Sequence, residues 1–565
     1  MLSPSFRFFP ARFSKAALCC AFIAISCTIA LAADADIPPA AGAPPAFSDP
    51  GRPAALNFVW TLLAAFLVMF MQAGFALVAT GLCRAKSAAH TMSMNFMIYA
   101  LGVLGFWLCG FAFMFGGSGA AMTAFDAHPT LGSSIAHLDA EWTVRLGRHA
   151  WGVLGHRGFL FSPKTLGAGV ACLFVFQTVF MSITATVPTG AMAERWNFKN
   201  FMFYGLWVGM IGYAVFGNWV WGGGWLSQLG AFAGLGHGHV DFAGSSVAHM
   251  TGGVIGAVGA SVLGPRLGKF KPDGTARAIP GHNLPYVVLG TFILAFGWFG
   301  FNPGSTMAGT DEHIATVALN TMLASAAGAC FAALGMYFRF GKPDPSVMCN
   351  GMLAGLVAIT ASCGFVSSTG AVIIGAVAGL LVIWALFFVE RVLRIDDPVG
   401  AVAVHGINGA WGIVALGLVA DGSYGQGWNG VHKLFKDGRL MTVVNDGTAA
   451  ARETFAVALA NGWIDQGVTG GFGKLFGGAY NDWSQLGAQA IGGFTNLVVV
   501  GLLAWGWFRL ADLLIPMRSK RQDEIVGLDI PEVGAEAYSD YHLTDASSPA
   551  VEGLANNGLL AKRDR

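Results

Sequence analysis

The stretch DFAGSSVAHM, residues 241–250, places an aspartate at the mouth of an apolar segment and a histidine, His249, inside it. A second stretch, DPVGAVAVH at 397–405, repeats the arrangement: His405 follows Asp397 by eight positions, as His249 follows Asp241. At about 1.5 Å of rise per helical residue, eight positions carry each histidine roughly 12 Å beyond its aspartate. Ionisable groups at such depth in an apolar segment are costly and mark a pathway more often than they serve packing. Two imidazoles approaching from opposite ends can meet there. Histidine suits a proton pathway, because one ring nitrogen donates while the other accepts and its charge changes near neutral pH.

The segments around these stretches set the class. The chain has 565 residues, 55% hydrophobic and 11% charged, against the quarter or so of charged residues usual in soluble domains. Apolar runs of roughly 20 residues recur, each long enough to cross a hydrocarbon core of about 30 Å as a helix. They lack the alternation of a barrel strand, so an all-α membrane protein is expected. Eleven transmembrane helices are placed near 57–81, 91–116, 164–189, 200–224, 244–263, 284–302, 314–337, 347–364, 369–389, 401–420 and 486–515. Alternate connections carry the basic residues: Arg84 and Lys86, Arg195 and Lys199, Arg266 to Arg277, Arg339 and Lys342, Arg391 and Arg394. The positive-inside rule puts these in the cytoplasm, which gives an outer N-terminus and a cytoplasmic C-terminus. The fifth and tenth spans then enter from opposite sides, so the echo of the two stretches predicts a five-plus-five inverted repeat with the site at the repeat interface near the midplane. Glycine, at 79 residues, fits closely packed membrane helices.

Four segments follow. Residues 1–32, a basic flank before the short run AALCCAFIAISCTIALAA, read as a secretory signal peptide cleaved after Ala30-Leu31-Ala32; an uncleaved anchor helix fits the same flank and length. Residues 33–56 form an outer N-terminal segment, 57–515 the membrane domain with a long outer loop at 421–485, and 516–565 a cytoplasmic tail. Of the nine cysteines, Cys19, Cys20 and Cys27 lie in the signal and the rest in or beside apolar segments, so no structural disulfides are expected. A net charge of +1, with no basic run interleaved with aromatics, argues against a nucleic-acid partner. No nucleophile elbow, phosphate loop or metal-ligand cluster is present, so neither an enzyme, a cofactor nor a metal is expected. His237 and His239 in GLGHGHVDF read as solvent-exposed outer-loop residues rather than metal ligands; His282 and His313 read as loop residues.

Beyond the twin stretches, the chain carries FQTVF at 176–180, TGAMAERWNF at 189–198, NWVWGGGWL at 218–226, GWFGFNPGS at 297–305 and EIVGLDIPEVGAEAY at 524–538. Together with DFAGSSVAHMTGG at 241–253 and DDPVGAVAVHG at 396–406, these motifs resemble the ammonium transporter family (Amt/Rh superfamily), of the bacterial Amt type, over nearly all of 57–420, the last span and the first part of the tail. The resemblance implies an outer ammonium-recruitment site at Phe180, Trp221 and Ser305, a gate of stacked Phe180 and Phe301, and a narrow apolar pore lined by His249 and His405. It implies supporting roles for Asp241, Gln177, Trp298 and Asp397: Asp241 near the outer vestibule capping the fifth span, Gln177 on the outer approach, and Asp397 in the analogous inner position. One departure is Gly400, where many relatives carry a second acid three residues after that aspartate.

A bare ammonium ion in such a pore would lose its solvation, so the resemblance implies deprotonation and passage of ammonia, the proton either returning outside or following separately along the histidines. It also implies a homotrimer in the inner (plasma) membrane, with a PII-type signalling protein as partner of the tail. An ammonium sensor that signals through its tail with little flux is the alternative. The tail after Tyr538 has a composition typical of disorder.

Overall fold

The computed structural model describes residues 51–118, 135, 138–161, 166–445 and 447–538; the signal segment 1–32 and the tail beyond Tyr538 lie outside the described residues. Among the described residues, ten helices are long and apolar enough to cross a membrane. In chain order they are α1 (Ala54–Leu82), α2 (Ala85–Phe115), α3 (Ala168–Ala191), α4 (Phe198–Trp221), α5 (Ser245–Leu263), α6 (Leu284–Thr306), α7 (His313–Phe340), α9 (Ser368–Val392), α10 (Val402–Val419) and α11 (Trp483–Leu514). The segment expected to span at 347–364 is helical only over α8 (Pro345–Ile359). Its 15 residues reach about 22 Å, short of the core thickness, and the chain completes the distance as a turn from Thr360 to Ser367 that carries hydrogen-bond partners for α5 and α6.

Side-chain caps fix where helices begin. Asn197 accepts from the N–H groups of Lys199 and Asn200, Asn283 from Tyr286, Asp344 from Ser346, Ser367 from Gly370 and Asp482 from Ser484. Each satisfies a donor that has no partner within its helix. The face holding Arg84, Arg195 and Arg266 also holds the described tail. Arg266 makes two hydrogen bonds to Asp396 at 2.9 Å and one to Glu194 at 2.6 Å, and Glu194 also pairs with Arg84. Burial pushes the Asp396 carboxyl up, but hydrogen bonds from Arg266 and the charge of Arg195 outweigh that and hold it down at about 2.

The tail is strapped to the same surface. Glu524 accepts from Leu267 N–H and from Arg518, Asp529 from His90 N–H, and Glu532 from Asn197 and Phe198 N–H.

The opposite face departs from an all-helical plan. Part of the 117–163 connection is an antiparallel hairpin, β1 (Glu141–Leu146) with β2 (His149–Gly155). The 421–485 connection folds into a three-stranded antiparallel sheet, β3 (Val431–Lys436), β4 (Arg439–Val444) and β5 (Ile464–Gln466) in the order β4-β3-β5, with a helix Ala449–Ala460. A small core of Leu434, Val443 and Ala458 holds it together.

At the centre, α5 and α10 cross in opposite directions. Gly253 lies against Gly406, Met250 against Gly409, and Ser245 against Gly412, so one chain's numbers fall as the other's rise. A Cβ on Gly253 would overlap the Gly406 backbone. Only a side chain of hydrogen allows the approach.

Two predictions follow from these contacts. Gly253→Ala should destabilise the protein by about 1–3 kcal/mol through overpacking, read as a lower midpoint in thermal unfolding of the detergent-purified protein; a native midpoint would refute the crossing. Burial pushes Glu141 of the hairpin up to about 7, against a weaker opposing hydrogen bond from Asn218. Its folded value thus exceeds the unfolded value of about 4.3, so the folded state binds the extra proton and stability falls as pH rises between those values. Glu141→Gln should therefore raise the unfolding midpoint at pH 8 relative to native and flatten its change between pH 5 and 8.

Candidate functional site

Asp241 initiates α5 with both carboxylate oxygens. Oδ1 accepts from the N–H groups of Gly244 and Ser245 at 2.8 and 2.9 Å; Oδ2 accepts from Ser246 and Val247 N–H at 2.7 and 3.0 Å and from the Ser246 hydroxyl at 2.7 Å. Asp397 repeats the device at α10, accepting from Gly400 and Val402 N–H. Gly400 takes φ +78°, a conformation that penalises any side chain. The backbone turn that delivers its N–H to Asp397 thus accounts for glycine at the position where an acid was anticipated.

Both aspartates launch π-helical turns, Ser245–Met250 and Val402–Ile407, each containing a histidine. A π turn widens the helix locally and such turns gather at functional sites. His249 and His405 meet through their Nδ1 atoms at 3.2 Å, with ring centroids 5.2 Å apart. Both are buried, and Nε2 of His249 has no hydrogen-bond partner. Contact between two Nδ1 atoms requires that one carry a hydrogen and the other a lone pair. The neutral pair therefore offers, at its two outer Nε2 atoms, one donor and one acceptor.

Aromatic rings cover one end of the pair. His249 lies near-parallel to Trp298 and to Phe301 at 5.0 and 5.1 Å, and Trp298 is held by its Nε1 donating to Thr360 Oγ1 at 3.0 Å. Phe301 stacks on Phe180 at 4.1 Å and 24°, both fully buried. Trp221 meets the edge of Phe180 at 6.0 Å and is half-buried, its Nε1 donating to the Asp241 carbonyl at 2.7 Å. Ser305, also half-buried, donates to the Phe301 carbonyl at 2.8 Å, which leaves its oxygen lone pairs free to accept. The order from the β-bearing face inward is thus Trp221 and Ser305, the phenyl pair, then the histidines.

On the far side of His405 a cavity of about 30 Å³, with room for a water, is lined by Phe75, Val78, Asn95, Thr186 and Asn350. A larger one of about 340 Å³ follows, lined by Asp397, Gly400, Ala403, Lys269 and Asp344.

Several expectations need correction. Gln177 is buried, its Oε1 accepting from the Tyr213 hydroxyl at 3.2 Å between α3 and α4, and does not line an open approach. His237 and His239 are not exposed loop residues: both are 0% exposed, and burial pulls their pKa values down to about 3 and about 4. His239 Nε2 lies 3.0 Å from Ser246 Oγ, behind Asp241. His313 is the first residue of α7, stacked on Tyr424 at 3.8 Å; His282 does lie in the connection before α6, as expected, half-buried between the Cys83 carbonyl and the Tyr538 hydroxyl.

Residues outside the expected set complete the support. Gln485 and Gln489 of α11 bond the backbone at His237, Gly238 and Val240, and Asn496 donates to the Ser246 carbonyl and to Thr251. Their spacing of four and seven puts three amides on one face of an otherwise apolar helix, a signal the sequence does contain.

The profile of the Ammonium Transporter Family matches residues 59–538. Ammonium transporter Amt2 of Archaeoglobus fulgidus is 37% identical over 496 residues, 87% of this chain and 90% of the relative. The ammonium transporter of Bacillus subtilis is 31% identical, over 85% and 98%. Among solved structures, one titled Sensor Amt Protein superposes with a TM-score of 0.66 at 30% identity over 85% of this chain and 99% of that one. Saccharomyces cerevisiae Mep2 follows at 0.61 and 25%, over 83% and 88%.

Asp241→Asn would set an amide NH2 against N–H donors that now find a carboxylate oxygen. Each stranded donor should cost about 1–3 kcal/mol, read as a fall in unfolding midpoint and folded yield; an Asn variant as stable as native would show that the cap does not hold α5.

Proposed function

Because the chain belongs to the ammonium transporter family, we propose that it recruits ammonium at Trp221, Phe180 and Ser305, deprotonates it, and passes ammonia inward along His249 and His405. It is a membrane protein and not an enzyme, as its relatives' names as transporters indicate. The observation that carries the reading is the Nδ1–Nδ1 contact at 3.2 Å directly behind a buried phenyl stack.

A small cation over aromatic faces gains about 0.5–2 kcal/mol. The Ser305 hydroxyl can accept an N–H bond, which a potassium ion of similar size cannot donate. Beyond the phenyl pair the surroundings are apolar, so an uncompensated charge is penalised and the neutral species is favoured. Ammonia donates and accepts hydrogen bonds, and it meets a donor and an acceptor at the ends of the histidine pair. The proton left behind either returns to the outer solution or crosses along the imidazoles.

The basic connections support placing the tail in the cytoplasm of a cell with this protein in its inner membrane. The strapped segment 524–538 then offers a surface to a PII-type partner, and a homotrimer is part of the reading. The folded tail also favours a second reading, an ammonium sensor, since a protein titled Sensor Amt Protein shares the fold.

Proteoliposomes separate the readings. Ammonium pulses on the native protein should give a transient current, or internal alkalinisation without current if ammonia alone crosses. His249→Ala and His405→Ala should abolish or sharply alter the signal. Trp221→Leu should weaken apparent ammonium affinity by roughly 2- to 30-fold. Ammonium binding without flux or current would overturn transport and leave the sensor.

A further inference from the structure

Behind the aspartate that starts α5 lies a buried chain of contacts that the proposed path does not use. Ser246 Oγ is 2.7 Å from Asp241 Oδ2 on one side and 3.0 Å from His239 Nε2 on the other. All three residues are at most 1% exposed. A serine hydroxyl has one hydrogen to give. Asp241 already accepts from four backbone N–H groups, the set that suits an ionised carboxylate, and in that form it takes the serine hydrogen as well. Ser246 must then accept from His239, which carries its hydrogen on Nε2. The other ring nitrogen, Nδ1, is left bare; it makes no hydrogen bond, and a Cβ at Gly492 of α11 would overlap it. The histidine is held in place by its own N–H, which donates to the Leu226 carbonyl at 2.9 Å, and by Gln489, which brackets the next residue, Val240.

We propose that His239 is a positioning residue: by donating from Nε2 to Ser246 it turns the serine hydrogen toward Asp241 and keeps a negative charge beside the ammonium-recruitment residues. The inference rests on the recruitment at Trp221 proposed above. Asp241 adjoins that residue directly, because its carbonyl accepts from Trp221 Nε1 at 2.7 Å and Gly244, whose N–H binds Oδ1, packs against the indole. With the hydrogen on Nδ1 instead, the serine would donate to His239 and Oδ2 would face its lone pairs. Without any donor at position 239, the serine hydrogen is free to turn to a carbonyl of its own helix turn. Burial pushes the Asp241 carboxyl up, and the Ser246 hydroxyl leads the hydrogen bonds that oppose it. The titratable groups facing Asp241 are Tyr213 of α4 and Cys363 of the turn after α8, both ordinarily uncharged at neutral pH. His432 and Lys433 of β3 face the neighbouring His237.

The test is the pH dependence of apparent ammonium affinity in proteoliposomes of the full chain. A carboxylate that loses a hydrogen bond titrates at higher pH, so its charge disappears earlier as the solution is acidified. His239→Leu and Ser246→Ala should each move the acid limb of the profile up by about one pH unit, about tenfold in affinity on that limb, with maximal flux nearly unchanged. His239→Gln, whose amide nitrogen keeps a donor near the Nε2 position but cannot titrate, should restore the native profile. His239→Leu/Ser246→Ala should shift no further than Ser246→Ala alone, since the histidine acts through the serine. An unshifted His239→Leu, a Gln variant that behaves as Leu, or shifts that add would each overturn the proposal. If His239→Leu does not fold, Ser246→Ala carries the test, and an unshifted profile there overturns it. Infrared titration of the detergent-purified protein follows the protonated carboxyl band itself, identified by its loss in Asp241→Asn, and should show the same upward shift. Absence of flux in every variant, with the infrared shift present, would count against transport and not against the role of His239.

Discussion

Two backbones touch where α5 and α10 cross, and the rest of the arrangement depends on that approach. Gly253 and Gly406 bring the helix axes close enough for the side chains four residues before one and one residue before the other to share a hydrogen bond between imidazoles. Leucine-sized groups at the crossing would separate the rings by the width of a side chain, and each histidine would be left buried with unmet bonding capacity. The caps at Asp241 and Asp397 set the rotational phase of each helix, and the π turns then point both rings into the crossing. Position along the helix, rotation and separation are thus fixed by three different kinds of residue: aspartate, the widened turn and glycine.

Much of this is written in the sequence because it is local. The interval of eight from aspartate to histidine, the capping side chains and the apolar runs all concern residues within two or three turns of each other. What the sequence did not disclose depends on distant packing. His237 and His239 sit among glycines, a pattern that reads as exposed loop, yet α11 begins more than 240 positions later and covers them with Gln485 and Gln489. The strands at 141–155 and 431–466 are short, and β5 reaches β3 only across β4 and the helix Ala449–Ala460, so hydropathy, which marks long apolar runs, does not pick them out. The eighth apolar run was read as a full span because hydropathy does not register where a helix stops; Thr360 to Ser367 remain apolar enough to extend the run while making a turn. Among the candidate site residues, Phe180, Trp221, Phe301, Trp298 and the two histidines were legible and are brought together, whereas Gln177 was legible only as a polar residue one turn from Phe180.

The two faces solve opposite problems. On the basic face charges are buried in matched sets: Arg266 between Asp396 and Glu194, Glu524 between Leu267 N–H and Arg518. Removing the partner of a buried member of these sets strands a charge that burial has already desolvated. On the β-bearing face aromatic and amide contacts predominate, with Trp219, Trp225, Phe242 and Trp428 packed under the small sheet and hairpin, beside the pairs Arg157–Asp139, His432–Asp465 and Lys433–Asp482.

The Nδ1–Nδ1 contact also gives the histidine pair a polarity. One shared hydrogen can belong to either ring, and the two assignments exchange the outward-facing donor and acceptor. In a pore working as proposed, a passage that hands a proton in at one end and out at the other leaves the pair reversed, and the next passage meets a mirror-image interior until the rings are reset. A passage that moves no proton leaves it as found. The pair therefore acts as a one-bit counter, and the resetting step, rather than the transit of ammonia, becomes the natural place for the two modes of conduction to differ in speed.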